Sequence, residues 1–183
     1  MALVPCTDLS AADWLVDSEL PWHQLVGFGP EGFAAYCRLR FLPDPTFAGQ
    51  EEADVDNEGL PSDGERLRLV LRTLARHTRT PQDWFFCLWD GWSDPPEPRG
   101  PLVVVPYREY FLFRGSLADW DATGIWHEPA FVWPADRAWC VARDVDPHWA
   151  GIGATREAVG ELLADARVDV VPADPGAVQP FYG

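Results

Sequence analysis

The most specific arrangement of potential ligands is Asp54-Val55-Asp56-Asn57-Glu58-Gly59, with Glu65 at the twelfth position counted from Asp54. The first, third, sixth and twelfth positions fit a calcium-binding loop, where oxygen ligands surround one hard cation and Gly makes the sharp turn. The fifth position is instead the longer Glu58, the eighth is Pro61, and no convincing helix enters the loop. An acidic loop ahead of a capped helix accounts for the same spacing, so a calcium-dependent module over 54–65 stands as an alternative only. A second group, Asp144-Val145-Asp146-Pro147-His148, offers two carboxylates and an imidazole to a divalent metal. Only Asp144 and Asp146 share a face of an extended chain, and Asp before Pro is ordinary turn chemistry.

Nucleophile chemistry finds no pattern. His23, His77, His127 and His148 are scattered, outside any metalloprotease spacing. Ser116 in Arg114-Gly115-Ser116-Leu117 lacks the second Gly of a nucleophile elbow and reads as a helix cap. Gly151-Ile152-Gly153 lacks the third Gly and the strand-before-helix setting of a dinucleotide loop. No catalytic residue, metal or cofactor is therefore expected. A looser alternative is a small-molecule binder or enzyme whose Arg/Asp/His site is drawn from Tyr107, Arg108, Arg114, Asp136, Arg137, Asp144 and His148 on neighbouring strands. Arg beside carboxylates would orient an anionic substrate there.

Aromatic residues suggest recognition instead. The chain carries 10 Trp and 10 Phe, most of which must be core. Trp92, Trp126 and Trp149 flank predicted turns and are expected to be exposed rings able to anchor an interface. Glu51, Glu52, Asp144 and Asp146 supply acid around them. The formal charge is −15, from 29 acidic and 14 basic residues, all of the latter Arg. Such a field repels phosphate backbones and anionic lipid and attracts a basic protein. The absence of Lys removes Schiff-base chemistry and the lysine of phosphate-binding loops. Neither nucleic acid nor a membrane is an expected partner.

These side chains need a scaffold, and the length of 183 residues fits one domain. Ser10-Ala11-Ala12-Asp13 is a plausible helix start ahead of Trp14 and Leu15. Gly29-Pro30 reads as opening a helix with Phe33, Tyr36, Cys37 and Phe41 on one face, stopped by Pro43. The acidic stretch 44–64 is expected to be a mobile loop. Ser62-Asp63-Gly64-Glu65 is a capping box for a helix buried along Leu67, Val70, Leu71 and Leu74. Trp84 to Trp89 is an unbroken apolar run, the mark of a central strand. Further strands are expected at 102–105, 107–113, 131–134, 138–145 and 168–171. Short helices should follow the caps Ser116 and Thr155, and 172–183 is an extended tail. Cys6, Cys37, Cys87 and Cys140 form no close pair and read as free thiols. The fold class expected is α+β, a mainly antiparallel sheet packed by N-terminal helices and one C-terminal helix. No signal peptide or membrane span is visible, so the cytoplasm is the expected compartment.

The segments Pro21-Trp22-His23, Gly32-Phe33-Ala34-Ala35-Tyr36, His77-Thr78-Arg79-Thr80-Pro81 and Leu88-Trp89-Asp90-Gly91 carry a resemblance, as do Tyr110-Phe111-Leu112-Phe113-Arg114-Gly115 and Trp133-Pro134-Ala135-Asp136-Arg137-Ala138-Trp139. Over most of its length the chain resembles uncharacterised acidic, Trp-rich cytoplasmic proteins of high-GC Gram-positive bacteria. That resemblance implies a single cytoplasmic domain and assigns no residue a role. The leading functional expectation comes from the surface: a non-catalytic, acidic protein-binding module, such as an immunity or antitoxin protein neutralising a basic partner.

Overall fold

The run Trp84–Trp89 sends alternate side chains into two separate apolar clusters. Trp84, Phe86 and Leu88 enter one, and Phe85 and Cys87 enter the other. Successive residues of a strand point to opposite faces, so this strand is buried on both sides. Hence its unbroken hydrophobicity.

The computed structural model describes residues 2–92, 100–123 and 127–183. Its 9-stranded sheet contains β1 (Val4–Pro5), β2 (Ala35–Arg40), β3 (Trp84–Trp89), β4 (Leu102–Val105) and β5 (Arg108–Gly115), then β6 (Phe131–Pro134), β7 (Cys140–Ala142), β8 (Trp149–Ala154) and β9 (Val170–Pro172). Across the sheet the order is β1-β5-β3-β6-β7-β8-β2-β9, with β4 also paired to β5. All these pairings are antiparallel. The helices are α1 (Asp13–Val16), α2 (Trp22–Phe28), α3 (Asp63–Leu74), α4 (Leu117–Ala122) and α5 (Arg156–Ala164). Leu15 of α1 and Leu25 and Val26 of α2 cover one face of the sheet. Leu67, Val70, Leu71 and Leu74 of α3, Trp120 of α4 and Val159 and Leu162 of α5 cover the other. The protein is α+β with an antiparallel sheet, as its sequence implies. Among the described residues, no helix is long and apolar enough to cross a membrane.

The caps form as their residue types require. Ser62 accepts from the Glu65 backbone N–H while Glu65 reaches back to Ser62, and Ser116 and Asp119 repeat the pattern at α4. Thr155 accepts from the Ala158 N–H at the start of α5.

Three expectations need correction. The segment after Gly29-Pro30 is strand β2, not a helix. Cys37 and Leu39 alternate into the core, so a period of two overrides the helical spacing of Phe33, Tyr36 and Phe41. The helix lies earlier, at α2, and ends at Gly29, whose φ of 77° suits Gly alone. The strand expected over 138–145 is only Cys140–Ala142, and β8 follows it unforeseen. At Gly151 of β8 an added Cβ would collide with the Gly27 carbonyl, so α2 rests directly on the strand backbone. That contact sets the position of α2 over the cleft described next.

Candidate functional site

Four segments enclose a cleft of about 890 Å³. They are α2, the turn of 3-10 helix at Glu52–Asp54, the loop 144–148 with Trp149, and the tail 175–183. The acidic stretch 44–64 thus contributes this 3-10 turn, and the tail folds back over the molecule. The Tyr182 hydroxyl donates to the Pro43 carbonyl, and the Gly183 N–H donates to the Gln50 carbonyl at 2.9 Å. The Trp149 indole N–H donates to the Pro180 carbonyl at 3.3 Å.

Behind the cleft, Asp44 organises the floor. Its carboxylate accepts from Arg38 at 2.8 and 3.0 Å, from Arg40 at 3.1 Å, and lies 3.1 Å from His148 Nε2. Burial alone would raise the Asp44 pKa, but hydrogen bonds from Arg38 and His148 outweigh it and hold the carboxyl well below its usual range. The Tyr182 ring meets His148 edge-on at 4.7 Å. Burial, together with the nearby Glu52 and Asp44 carboxylates, pushes its phenol pKa up, so Tyr182 stays a neutral donor.

Trp149 differs from its expected role. It is only 6 % exposed, packed 5.2 Å from Phe28 with the Arg38 guanidinium 5.5 Å from its ring. Its faces are occupied, so it fastens the tail instead of meeting a partner. Trp92 is half-buried, stacked on His127 at 4.1 Å and edge-on to Trp89 at 5.6 Å, and is no free anchor either. Trp126 lies outside the described residues.

The acidic expectations converge better. Glu51, Glu52, Asp144 and Asp146 all line the cleft, and no Arg is among its described lining residues. Asp144 is buried and taken by Arg108 through two 3.0 Å hydrogen bonds. Arg108 is held 5.6 Å from the rings of both Trp22 and Trp89, and reaches Asp146 only at 3.7 Å. The side chain of Asp146 is 84 % exposed, and Glu51 and Glu52 are exposed as well. The charge facing open space at this cleft is therefore carboxylate. Phe181, 72 % exposed, and Val178 add apolar surface on the tail side.

The Arg/Asp/His set assembles only in part. Asp144 and His148 line the cleft, with Arg108 and Tyr107 beside it. Arg114 is held by Asp83 at 2.6 and 2.7 Å, and Asp136 accepts from Thr78 at 2.6 Å and the Arg79 N–H at 2.8 Å. Arg137 lies 4.9 Å from the Trp14 ring. These are separate structural pairs. In the calcium alternative's loop, 54–65, the carboxylates serve the local backbone. Asp54 accepts from the Glu51 N–H, Asp56 from the Glu58 N–H, and Glu65 from Ser62. Among the described residues, no group of 3 or more His, Cys, Asp or Glu is placed to hold a metal. The cysteines are free, and burial pushes the Cys37 thiol up to about 12 and that of Cys87 well up, so both remain protonated filling.

Comparison with protein-family models, curated proteins and solved structures finds no match to this chain. The site rests on its own geometry. Sequence reasoning missed Trp22, Val178, Phe181 and Tyr182 as cleft residues. The aromatic pair Phe181-Tyr182 closing a Pro- and Gly-rich tail was the available signal, since such rings seek a surface to cover.

Proposed function

We propose that the protein is a non-catalytic binding module whose acidic cleft takes a cationic segment of a partner protein, as an immunity or antitoxin protein would neutralise a basic partner. One observation carries this reading: the carboxylates of Glu51, Glu52 and Asp146 stand open around the cleft while its arginine neighbour Arg108 is already paired. The overall charge of −15 extends the attraction beyond contact range and speeds encounter with a basic partner. It disfavours nucleic acid and anionic membranes equally. Phe181 and Val178 supply the apolar area that a charged rim alone lacks. Exposed Tyr107 continues that surface beside Trp22, so the docking rings differ from Trp92, Trp126 and Trp149.

Selection from a random peptide display library tests the proposal. Arg- and Lys-rich peptides should be enriched, and the double variant Glu51→Lys, Glu52→Lys should lose them at least tenfold, two charge reversals at a contact of this kind being worth more than about 1.4 kcal/mol. Enrichment of neutral or acidic peptides, or indifference to the double variant, would contradict it. A second reading, a small organic cation, draws on the cleft volume of about 890 Å³, within the usual range for small ligands. Thermal stabilisation by such a cation, with no peptide enriched, would favour it.

A further inference from the structure

Five arginines of this protein share a habit. Arg38 lies over Trp149 and pairs with Asp44, and Arg68 lies over Trp120 and pairs with Asp121. Arg108 lies by Trp22 and Trp89 and pairs with Asp144, Arg114 lies over Phe85 and pairs with Asp83, and Arg143 lies over Phe41 and pairs with Asp63. Each guanidinium thus receives an aromatic ring and a carboxylate together. A planar, weakly hydrated cation gains from both, one through its face and the other through its N–H fork.

At the mouth of the cleft stand a ring and a carboxylate whose arginine neighbour, Arg108, is already paired with Asp144. Tyr107 is 79 % exposed, and its one ring contact among the described residues is the Trp22 ring, edge-on at 5.6 Å. Asp146 is also open, its side chain 84 % exposed. Both border Arg108, which donates to the Tyr107 carbonyl at 3.2 Å and lies 3.7 Å from Asp146. The backbone of Tyr107 adds a second observation. It sits after Pro106 in the turn joining the paired residues Val105 and Arg108, with φ at 65°. Gly or Asn adopts that conformation without the steric cost a Tyr incurs. A bulky ring held there against backbone preference, and mostly in solvent, is what a recognition residue looks like.

We infer that Tyr107 and Asp146 form a receptor for an arginine side chain of the partner, the ring stacking on its guanidinium and the carboxylate pairing with it. This rests on the reading of the cleft as a site for a cationic protein segment, and it narrows that segment to one with arginine at the cleft mouth. Lysine, with a compact and strongly hydrated ammonium, gains less from a ring and cannot present a planar fork.

Isothermal titration with hexa-arginine and hexa-lysine peptides separates the two levels. The wild-type protein should bind hexa-arginine about tenfold more tightly. Tyr107→Gly should abolish that preference, lowering hexa-arginine affinity far more than hexa-lysine affinity with the melting temperature unreduced, and Tyr107→Phe should restore the preference. Equal affinity of the wild-type protein for both peptides would overturn the arginine receptor and leave the cationic cleft standing. So would a Tyr107→Gly variant that melts several degrees lower and loses both peptides alike, because the ring would then be a prop for Trp22. Binding of neither peptide would overturn both readings.

Discussion

Asp44 has three cationic or ionisable partners, Arg38, Arg40 and His148, drawn from β2 and from the start of the segment leading into β8. Arg38 is buried, so removing the charge of Asp44 leaves a guanidinium without its counterion in a dry setting. Asp44→Asn should therefore cost about 3 kcal/mol, read as a lowered urea midpoint at neutral pH. The pH dependence has a definite sign. A carboxyl held below its unfolded value stabilises the fold above that value, about 4, and loses this contribution as pH falls through its lower folded value. The gap between wild type and Asp44→Asn should shrink as pH is lowered below about 4. A gap that persists unchanged in strong acid would show that shape, not charge, is what Asp44 supplies.

At the level of elements, the contact between α2 and β8 is the least forgiving. Gly151→Ala would drive a methyl group into the Gly27 carbonyl and should lower stability by about 2 kcal/mol, whereas Gly160→Ala in α5, with open space around it, should raise stability by up to about 1 kcal/mol. Urea melts of the two variants provide the check, and equal effects would contradict the close approach. The same contact explains what the sequence concealed. Helix α3 was legible because Ser62 and Glu65 announce its start and Leu67, Val70, Leu71 and Leu74 repeat at helical spacing. Strand β3 was legible because burial on both faces leaves a continuous apolar run. Strand β8, Trp149–Ala154, carries four small residues with little strand preference, Ala150, Gly151, Gly153 and Ala154, and its two glycines answer to α2 and to Phe33, partners far away in sequence. In and around β2 the residues Phe33, Tyr36, Cys37 and Phe41 satisfy a helical period by coincidence, and only the burial of Leu39 beside Cys37 resolves the choice. The site was legible in its charge, since Glu51, Glu52, Asp144 and Asp146 meet at one cleft. Its rings were not, because a turn-flanking position does not reveal that Trp149 is covered by Phe28 and Arg38.

Across the whole molecule, charge and topology act together. Most arginines are consumed by internal carboxylates and rings, so the excess of acid is left to the surface, and around the cleft no Arg lines the described wall. The tail contributes nothing to either apolar cluster, yet it forms one wall of the cleft through Val178, Phe181 and Tyr182. Its cost in ordering is spent on the site rather than on the core. Backbone amide chemical-shift mapping during titration with hexa-arginine tests the central claim most directly. The account predicts that saturable, salt-sensitive shifts concentrate at Glu51, Glu52, Asp146 and Phe181 and spare the α3–α5 face. Shifts spread evenly over the acidic surface, or gathered on α3 and α5, would contradict it.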